Sequence, residues 1–279
     1  MAIDSFEAEA RFHELAALAG DALGLAEGAL LIAAMEAPGV DLEACLDEID
    51  ALADEARPRV DRAAGLASRL DSLGAFLGLT VGFCGNEEAY GDLDNSLLHR
   101  VLERRTGIPV TLSVVWIEVG RRAGLPLVGV GMPLHFLVGV EGGHDLYADP
   151  FGRGRILERQ DCARILLERS GGEMRLEPRM LTPIPDRRIL LRILVNLRGA
   201  SFEREDVAGA LRATSAMVAL EPEVPELYRD RGVLALKLGD GASAEADLGR
   251  YLEMRPDARD AELMRHVLHQ AGDTRLTVN

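Results

Sequence analysis

Four side chains in the middle of the sequence have the types that nucleophilic catalysis uses: Cys84, Ser113, His135 and Asp149. A thiol or hydroxyl becomes a nucleophile when a neighbouring imidazole takes its proton, and a carboxylate behind the imidazole fixes its tautomer and orientation. The chemistry such a set would carry is hydrolysis or acyl transfer. Ser113 lies one helical turn beyond Pro109 and on the same helix face, so its hydroxyl can approach His135, whereas Thr111 points elsewhere. The competing reading of Ser113 is a small residue that lets a helix pack on a sheet, and that reading is adopted. Cys84, in Gly82-Phe-Cys-Gly-Asn86, precedes the helix and reads as a buried or loop thiol ahead of a reactive one. His135 and Asp149 are either a base with its orienter or a polar pair stitching two strands at the rim of a cleft. The stitching reading is taken, with both residues lining the cleft.

A metal or other cofactor is not expected. His99, His135 and His144 lack ligand spacing, and Cys45, Cys84 and Cys162 form no Cys-x-x-Cys pair.

The elements that must position these groups can be read from turn signals and periodicity. Gly107 suits a left-handed end to a preceding helix, Pro109 suits a first helical position, and Gly124 with Pro126 stops the helix after Ala123. Leu112, Trp116, Val119 and Ala123 recur at helical spacing and should face the core. The run from Leu134 to Val140 alternates as a strand, Glu141-Gly-Gly-His144 reads as a hairpin turn, and residues 145–148 form the next strand, closed by Asp149-Pro150. In that antiparallel pair His135 and Asp149 fall opposite or nearly opposite each other, within reach of a shared hydrogen bond.

Helix, strand with His, then strand with Asp is the chain order of the papain-like transglutaminase fold, and Gly107-Ile-Pro109, Gly124-Leu-Pro126, His135 and Asp149-Pro150 resemble its motifs over about a third of the chain. More closely, Phe83-Cys-Gly-Asn86, Tyr90, Asn95-Ser-Leu97, Val101-Leu-Glu-Arg-Arg105, Gly107-Ile-Pro109 and His135-Phe-Leu137 look like the bacterial SirB-type transglutaminase-like family. That resemblance spans nearly the whole chain. It implies a helical N-terminal segment and C-terminal tetratricopeptide repeats flanking the transglutaminase-like core, a regulatory role, and Asn86, Tyr90 and Asn95 in the cleft wall. A helix cap is the alternative role for Asn95 or Asp94.

Where the transglutaminase pattern places its nucleophilic cysteine, this sequence has Pro109. Proline has no thiol, and it also lacks the N–H that a nucleophile at a helix start contributes to an oxyanion hole. The triad reaction is therefore unavailable at that position, which points to a binding protein on an enzyme's fold. An active hydrolase or acyl transferase would need Ser113 or Cys84 as a relocated nucleophile for His135 and Asp149.

Composition sets the remaining bounds. With 279 residues, 48% hydrophobic content and only 4% aromatics, the chain has room for two or three units with cores of Leu, Ala and Val. No apolar run approaches a membrane span, Asp4, Glu7 and Glu9 stand where a signal peptide would be basic, and three scattered cysteines fit a reducing cytoplasm. A net charge of −15 argues against a general affinity for nucleic-acid phosphates, local pairs such as Arg104-Arg105 and Arg187-Arg188 aside.

The expected architecture is α+β and mostly helical. Residues 1–78 form an N-terminal helical segment that covers the core, with helices over 6–19, 23–35, 42–56 (capped by Asp41) and 60–77. Residues 79–182 form the transglutaminase-like core with a small antiparallel sheet. Residues 180–186, with Pro183 and Pro185, read as an extended linker into a repeat region over 183–279. There Pro222 and Pro256 are thirty-four residues apart, and Gly232, Ala244 and Pro256 occupy the small-residue and proline positions of a tetratricopeptide repeat. Leu194, Leu197 and Ala210 mark a more degenerate first repeat, and 261–270 a final covering helix. Arg192, Asn196, Arg229 and Arg231 are the candidate partner-facing residues of this region, the expected partner being a protein or peptide.

Overall fold

The computed structural model describes residues 2–18, 24–142 and 145–276, with side chains through residue 269. Ala19, Leu23 and His144 lie outside the described residues. Two units divide the chain at Ile193 and Leu194.

The first unit is built around one buried helix. It contains helices α1 (Ser5–Ala16), α2 (Leu25–Glu36), α3 (Leu42–Arg62), α4 (Leu66–Ala75), α5 (Leu98–Arg104), α6 (Pro109–Arg122) and α7 (Arg159–Arg169), and the first turns of α8 (Asp186–Glu203). Every residue of α6 from Pro109 to Gly120 is buried. Each of its fully buried large apolar side chains contributes about 1.5–3 kcal/mol relative to exposure, so this helix anchors the unit. Leu112, Trp116, Val119 and Ala123 are all in the core, as their spacing predicts. Gly120 has no room for a side chain: a Cβ there would lie 2.2 Å from Leu127 Cδ1.

Leu127 belongs to the five-stranded sheet on which α6 packs. Its strands are β5 (Leu127–Val130), β6 (Leu137–Val140), β7 (Leu146–Asp149), β8 (Arg155–Glu158) and β9 (Pro183–Ile184), in the order β8-β7-β6-β5-β9, and every pairing is antiparallel. Four two-residue strands complete the described pairings: β1 (Ala2–Ile3) with β2 (Val40–Asp41), and the parallel pair β3 (Cys84–Gly85) with β4 (Thr106–Gly107), the last two placed beside the start of α6.

Several expectations need correction. The helix beginning at Asp41, whose carboxylate accepts from Ala44 N–H as a cap should, does not end at Ala56 but runs through Pro58 to Arg62. Proline inside a helix costs about 3 kcal/mol, yet Ala53, Ala56 and Val60 form one buried face across it, and that packing outweighs the missing hydrogen bond. The next helix starts at Leu66 and closes through a π-helical turn, Phe76–Val81, rather than starting at Val60. The left-handed residue that ends α5 is Arg105, at φ 56°, and not Gly107, which lies in β4. Residues 183–184, read as linker, form the sheet's edge strand β9, where a proline without N–H does no harm.

In the second unit, α8 is followed by α9 (Val207–Leu220), α10 (Pro225–Lys237), α11 (Gly241–Met254) and α12 (Ala261–Leu276). Consecutive helices from α9 to α12 pack on one another, with Leu248, Tyr251 and Met264 in one core cluster and Ala235 with Ala244 in another. The small-residue positions are explained by proximity: a Cβ on Gly232 would meet Leu248 Cγ at 2.9 Å, and Ala244 is wholly buried. Asp206 and Asp240 cap α9 and α11 through the N–H groups of Gly209 and Ser243.

Candidate functional site

The strand β3 straps the parts of the site together. Cys84 N–H donates to Arg105 C=O (2.9 Å) and Asn86 N–H to Gly107 C=O (3.1 Å), fixing the segment that leads into Pro109. On its other side, Gly85 N–H donates to Phe151 C=O (3.0 Å), two residues beyond Asp149. The start of α6, the thiol of Cys84 and the end of β7 are thereby held around one small strand.

Asn95 is the second brace. It is fully buried, its Nδ2 donates to the carbonyls of Ala89 (2.7 Å) and Tyr90 (3.2 Å), and its Oδ1 accepts from Asn86 Nδ2 (3.1 Å). Its own carbonyl accepts from the Thr111 hydroxyl at 2.6 Å and from Ile108 N–H at 3.4 Å. The cap reading of Asn95 and Asp94 is thus corrected. The short 3-10 turn Leu93–Ser96 is capped by Asp92, α5 starts at Leu98 without a side-chain cap, and the amide of Asn95 is used to close the loop over residues 86–92.

His135 and Asp149 meet at 2.9 Å between Nε2 and Oδ1, with side chains 1% and 7% exposed. His135 does not sit in a strand. It ends a turn in which its N–H donates to Met132 C=O (3.1 Å), and β6 begins two residues later. Leu134, immediately before it, takes φ 60°, a conformation that side chains with a Cβ seldom adopt and that turns the imidazole toward β7. Burial pushes the Asp149 carboxyl up, but the hydrogen bond and charge of His135, the Gly152 N–H and Arg155 outweigh it and hold the group below the usual carboxylate range. An ionised carboxylate only accepts, so Nε2 carries a hydrogen, and in the ring's neutral form Nδ1 is then a bare acceptor. Nδ1 is buried and has no protein partner. Leaving such an atom unpaired costs about 1–3 kcal/mol. The dyad therefore has the tautomer of a general base, with nothing in the protein hydrogen-bonded to the basic nitrogen.

The hydroxyl of Ser113 is engaged elsewhere. Ser113 is fully buried and donates to Pro109 C=O at 2.7 Å, the i−4 back-bond of a helix interior. Pro109 itself is the first residue of α6 and is buried. Burial pushes the thiols of Cys45 and Cys162 up to about 11 and about 12, so both stay protonated at neutral pH. Cys84 is half-buried and unpaired.

Cys84 lines a cavity of about 480 Å³ together with Gly85, Asn86, Glu87, Glu88, Thr106, Phe151, Gly152 and Arg153. Tyr90, half-exposed, has its ring 6.1 Å from that of Phe151. Phe151 in turn meets the His135 ring edge to face at 6.2 Å. Sequence reasoning passed over Phe151. The available signal was an aromatic residue set directly behind Asp149-Pro150 and ahead of Gly152 and Gly154. Among the described residues no group of three or more His, Cys, Asp or Glu side chains is placed to hold a metal ion.

On α8, Arg192 is exposed at the end of the first unit and Asn196 is half-buried at the start of the second. Arg229 and Arg231 are taken up internally. Arg229 pairs with Asp230 (2.8 Å) and Asp260 (2.9 Å), and Arg231 makes two 2.7 Å hydrogen bonds to the buried carboxylate of Asp247.

Similarity to known proteins agrees with this architecture. The transglutaminase-like superfamily matches residues 43–195 and the tetratricopeptide repeat matches residues 197–269. A UPF0162 protein of Xylella fastidiosa is 34% identical over 270 residues, covering 95% of this chain and 96% of the relative. A UPF0162 protein of Vibrio cholerae is 30% identical over 247 residues, with 88% and 91% covered. The protein SirB1 of Salmonella typhimurium is 25% identical over 243 residues, with 86% and 90% covered. No solved structure matches. With a core that matches that superfamily, repeats following it in sequence and bacterial relatives along nearly its full length, the chain belongs to the SirB-type transglutaminase-like family.

Proposed function

We propose that this protein is a non-catalytic transglutaminase-like scaffold that binds a protein or peptide through its cleft and its tetratricopeptide repeats. One observation carries the reading: Pro109, which stands where the transglutaminase pattern resembled by this sequence has its nucleophile, opens α6, and the nearest replacement on that face, Ser113, donates its hydroxyl to the Pro109 carbonyl. A base without a nucleophile has no acyl-transfer step to serve, and here it lies buried behind the cavity wall that Phe151 forms. The repeat match over residues 197–269 supports a protein partner; the exposed Arg192 and neighbouring Asn196, on α8 just ahead of that region, are the proposed contacts, while Arg229 and Arg231 hold the repeat together. Three unpaired cysteines support a cytoplasmic working compartment, and among the described residues no helix is long and apolar enough to cross a membrane.

Turnover of amide, ester and amine-incorporation substrates by the purified chain tests the reading. It should match that of His135→Ala at every pH. A rate that falls in His135→Ala or Cys84→Ala overturns it and favours the second reading, a hydrolase or acyl transferase with Cys84 as relocated nucleophile. That alternative is supported by the place of Cys84 in the cavity beside Phe151. For the binding half, Arg192→Glu should weaken recovery of a copurifying protein at an unchanged denaturation midpoint.

A further inference from the structure

The cavity beside β3 ends at one side chain. Its wall includes Phe151 and Gly152 but not His135, although the two rings are in edge-to-face contact. The imidazole behind Phe151 is 1% exposed, and its Nδ1 lacks a protein partner. A buried acceptor held in one direction by a carboxylate, and left unpaired, is an atom suited to a donor from outside the chain. Packing alone holds the ring that lines the cavity on one side and meets the imidazole on the other. The Phe151 ring fills the place where a Cβ on Gly85 would come within 2.4 Å of it, tilts against the half-exposed Tyr90, and has the Arg169 guanidinium 5.9 Å from its centroid. The turn that carries it continues through Arg153 at φ 60° and Gly154 at φ 78°.

We propose that Phe151 is a displaceable cover over His135, and that the uncovered Nδ1 accepts a hydrogen bond from an amide N–H of a peptide lying in the cavity. The proposal rests on the cleft-binding reading above and names the atom that reads the occupant. In its Nε2–H tautomer the ring accepts one hydrogen at Nδ1 and offers none, so a carbonyl or carboxylate at that spot would stay unpaired. Glu87 and Glu88, exposed on the cavity wall, add a charge that works against acidic peptides. Phe151 acts here as a positioning residue; it touches no reacting atom.

Diethyl pyrocarbonate acylates the bare nitrogen of a neutral imidazole, so mass-spectrometric labelling of His135 reads its accessibility whatever the turnover. Labelling of Phe151→Ala should be about tenfold faster than that of the unmodified chain, a shift of about 1.4 kcal/mol in the opening equilibrium, with Phe151→Leu between the two. Equal labelling in all three folded proteins overturns the cover, and if the alanine variant does not fold, the leucine variant decides. In the labelled variant, N-acetyl-diglycine amide should slow the reaction and its fully N-methylated analogue, which has no N–H, should not. Equal effects of the two probes overturn the acceptor role. His135-dependent substrate turnover in Phe151→Ala would instead overturn the non-catalytic reading and leave the cover standing.

Discussion

His135 Nε2 lies 2.9 Å from Asp149 Oδ1, yet the two residues are not level in the sheet. The register of β6 with β7 pairs Val138 with Ala148, which puts Asp149 level with Leu137, two residues beyond His135, which precedes the strand. The contact is made because Leu134 bends the chain at φ 60° ahead of the imidazole, so the dyad is a product of a turn as much as of a strand pair. Backbone held in a sparsely populated conformation next to a buried polar pair marks a place that the fold over-determines.

Acid stability should report on this contact. The Asp149 carboxyl is held below its ordinary value, so the unfolded chain binds that proton more readily than the folded one. The stabilisation is complete above the unfolded pKa of about 3.9 and disappears as the pH falls through the lower folded value. Asp149→Asn should therefore be less stable than the unmodified chain at neutral pH, by about 1–3 kcal/mol, with the gap narrowing below about pH 4. Urea midpoints measured from pH 2 to pH 7 check this, and a gap that stays constant across the range would contradict it.

Asn95 and Asp94 separate two readings of the same stretch. If Asn95 braces the 86–92 loop through its three side-chain hydrogen bonds, Asn95→Ala should cost about 2–3 kcal/mol. Asp94, whose carboxylate meets the guanidinium groups of Arg104 and Arg100 at the surface, should cost no more than about 1 kcal/mol when changed to Ala. Denaturant titration of the two variants decides between brace and cap.

The parts of this fold that depend on periodicity and punctuation could be read from the residues alone. The α6 boundaries follow from Pro109 and from Gly124, which takes φ 83°, and the α6 core from Leu112, Trp116 and Val119. The Asp41 cap was equally plain. What could not be read were outcomes set by tertiary packing against local preference: the passage of α3 through Pro58, the recruitment of Pro183 into a sheet edge, and Arg105 in place of Gly107 as the left-handed residue. In the site, residue types identified His135 and Asp149, but direction needed coordinates. The Ser113 hydroxyl lies on the expected helix and donates back along it. Phe151 acquires meaning only from the three neighbours that surround its ring.

Gly85 gives a second route to the cover over His135. A Cβ there would overlap the Phe151 ring, with Cδ2 and Cε2 both at 2.4 Å, so Gly85→Ala must shift the ring or the strand. Overpacking of this kind costs about 1–3 kcal/mol. The variant should also label faster at His135 with diethyl pyrocarbonate. Destabilisation with His135 still protected would mean that β3 moves and the ring does not.

The repeat unit offers a test that does not involve the cleft. Asp247 is buried on α11, and Arg231 from α10 meets both of its oxygens at 2.7 Å while lying 5.6 Å from the centroid of the Tyr228 ring. Removing one partner strands the other charge in the interior, whereas removing both leaves an apolar contact between the same helices. Arg231→Met should therefore cost about 3–5 kcal/mol, and the double variant with Asp247→Leu should recover most of that loss. Because the chain has two compact units, the measurement should be hydrogen exchange in α10 and α11 of the full chain, since a single global midpoint can mix two transitions. Additive losses would mean that the pair is a surface contact without coupling. Recovery in the double variant would fix the Arg231–Asp247 pair as the pin between the two helices, a structural role that takes Arg231 out of the residues available to a partner.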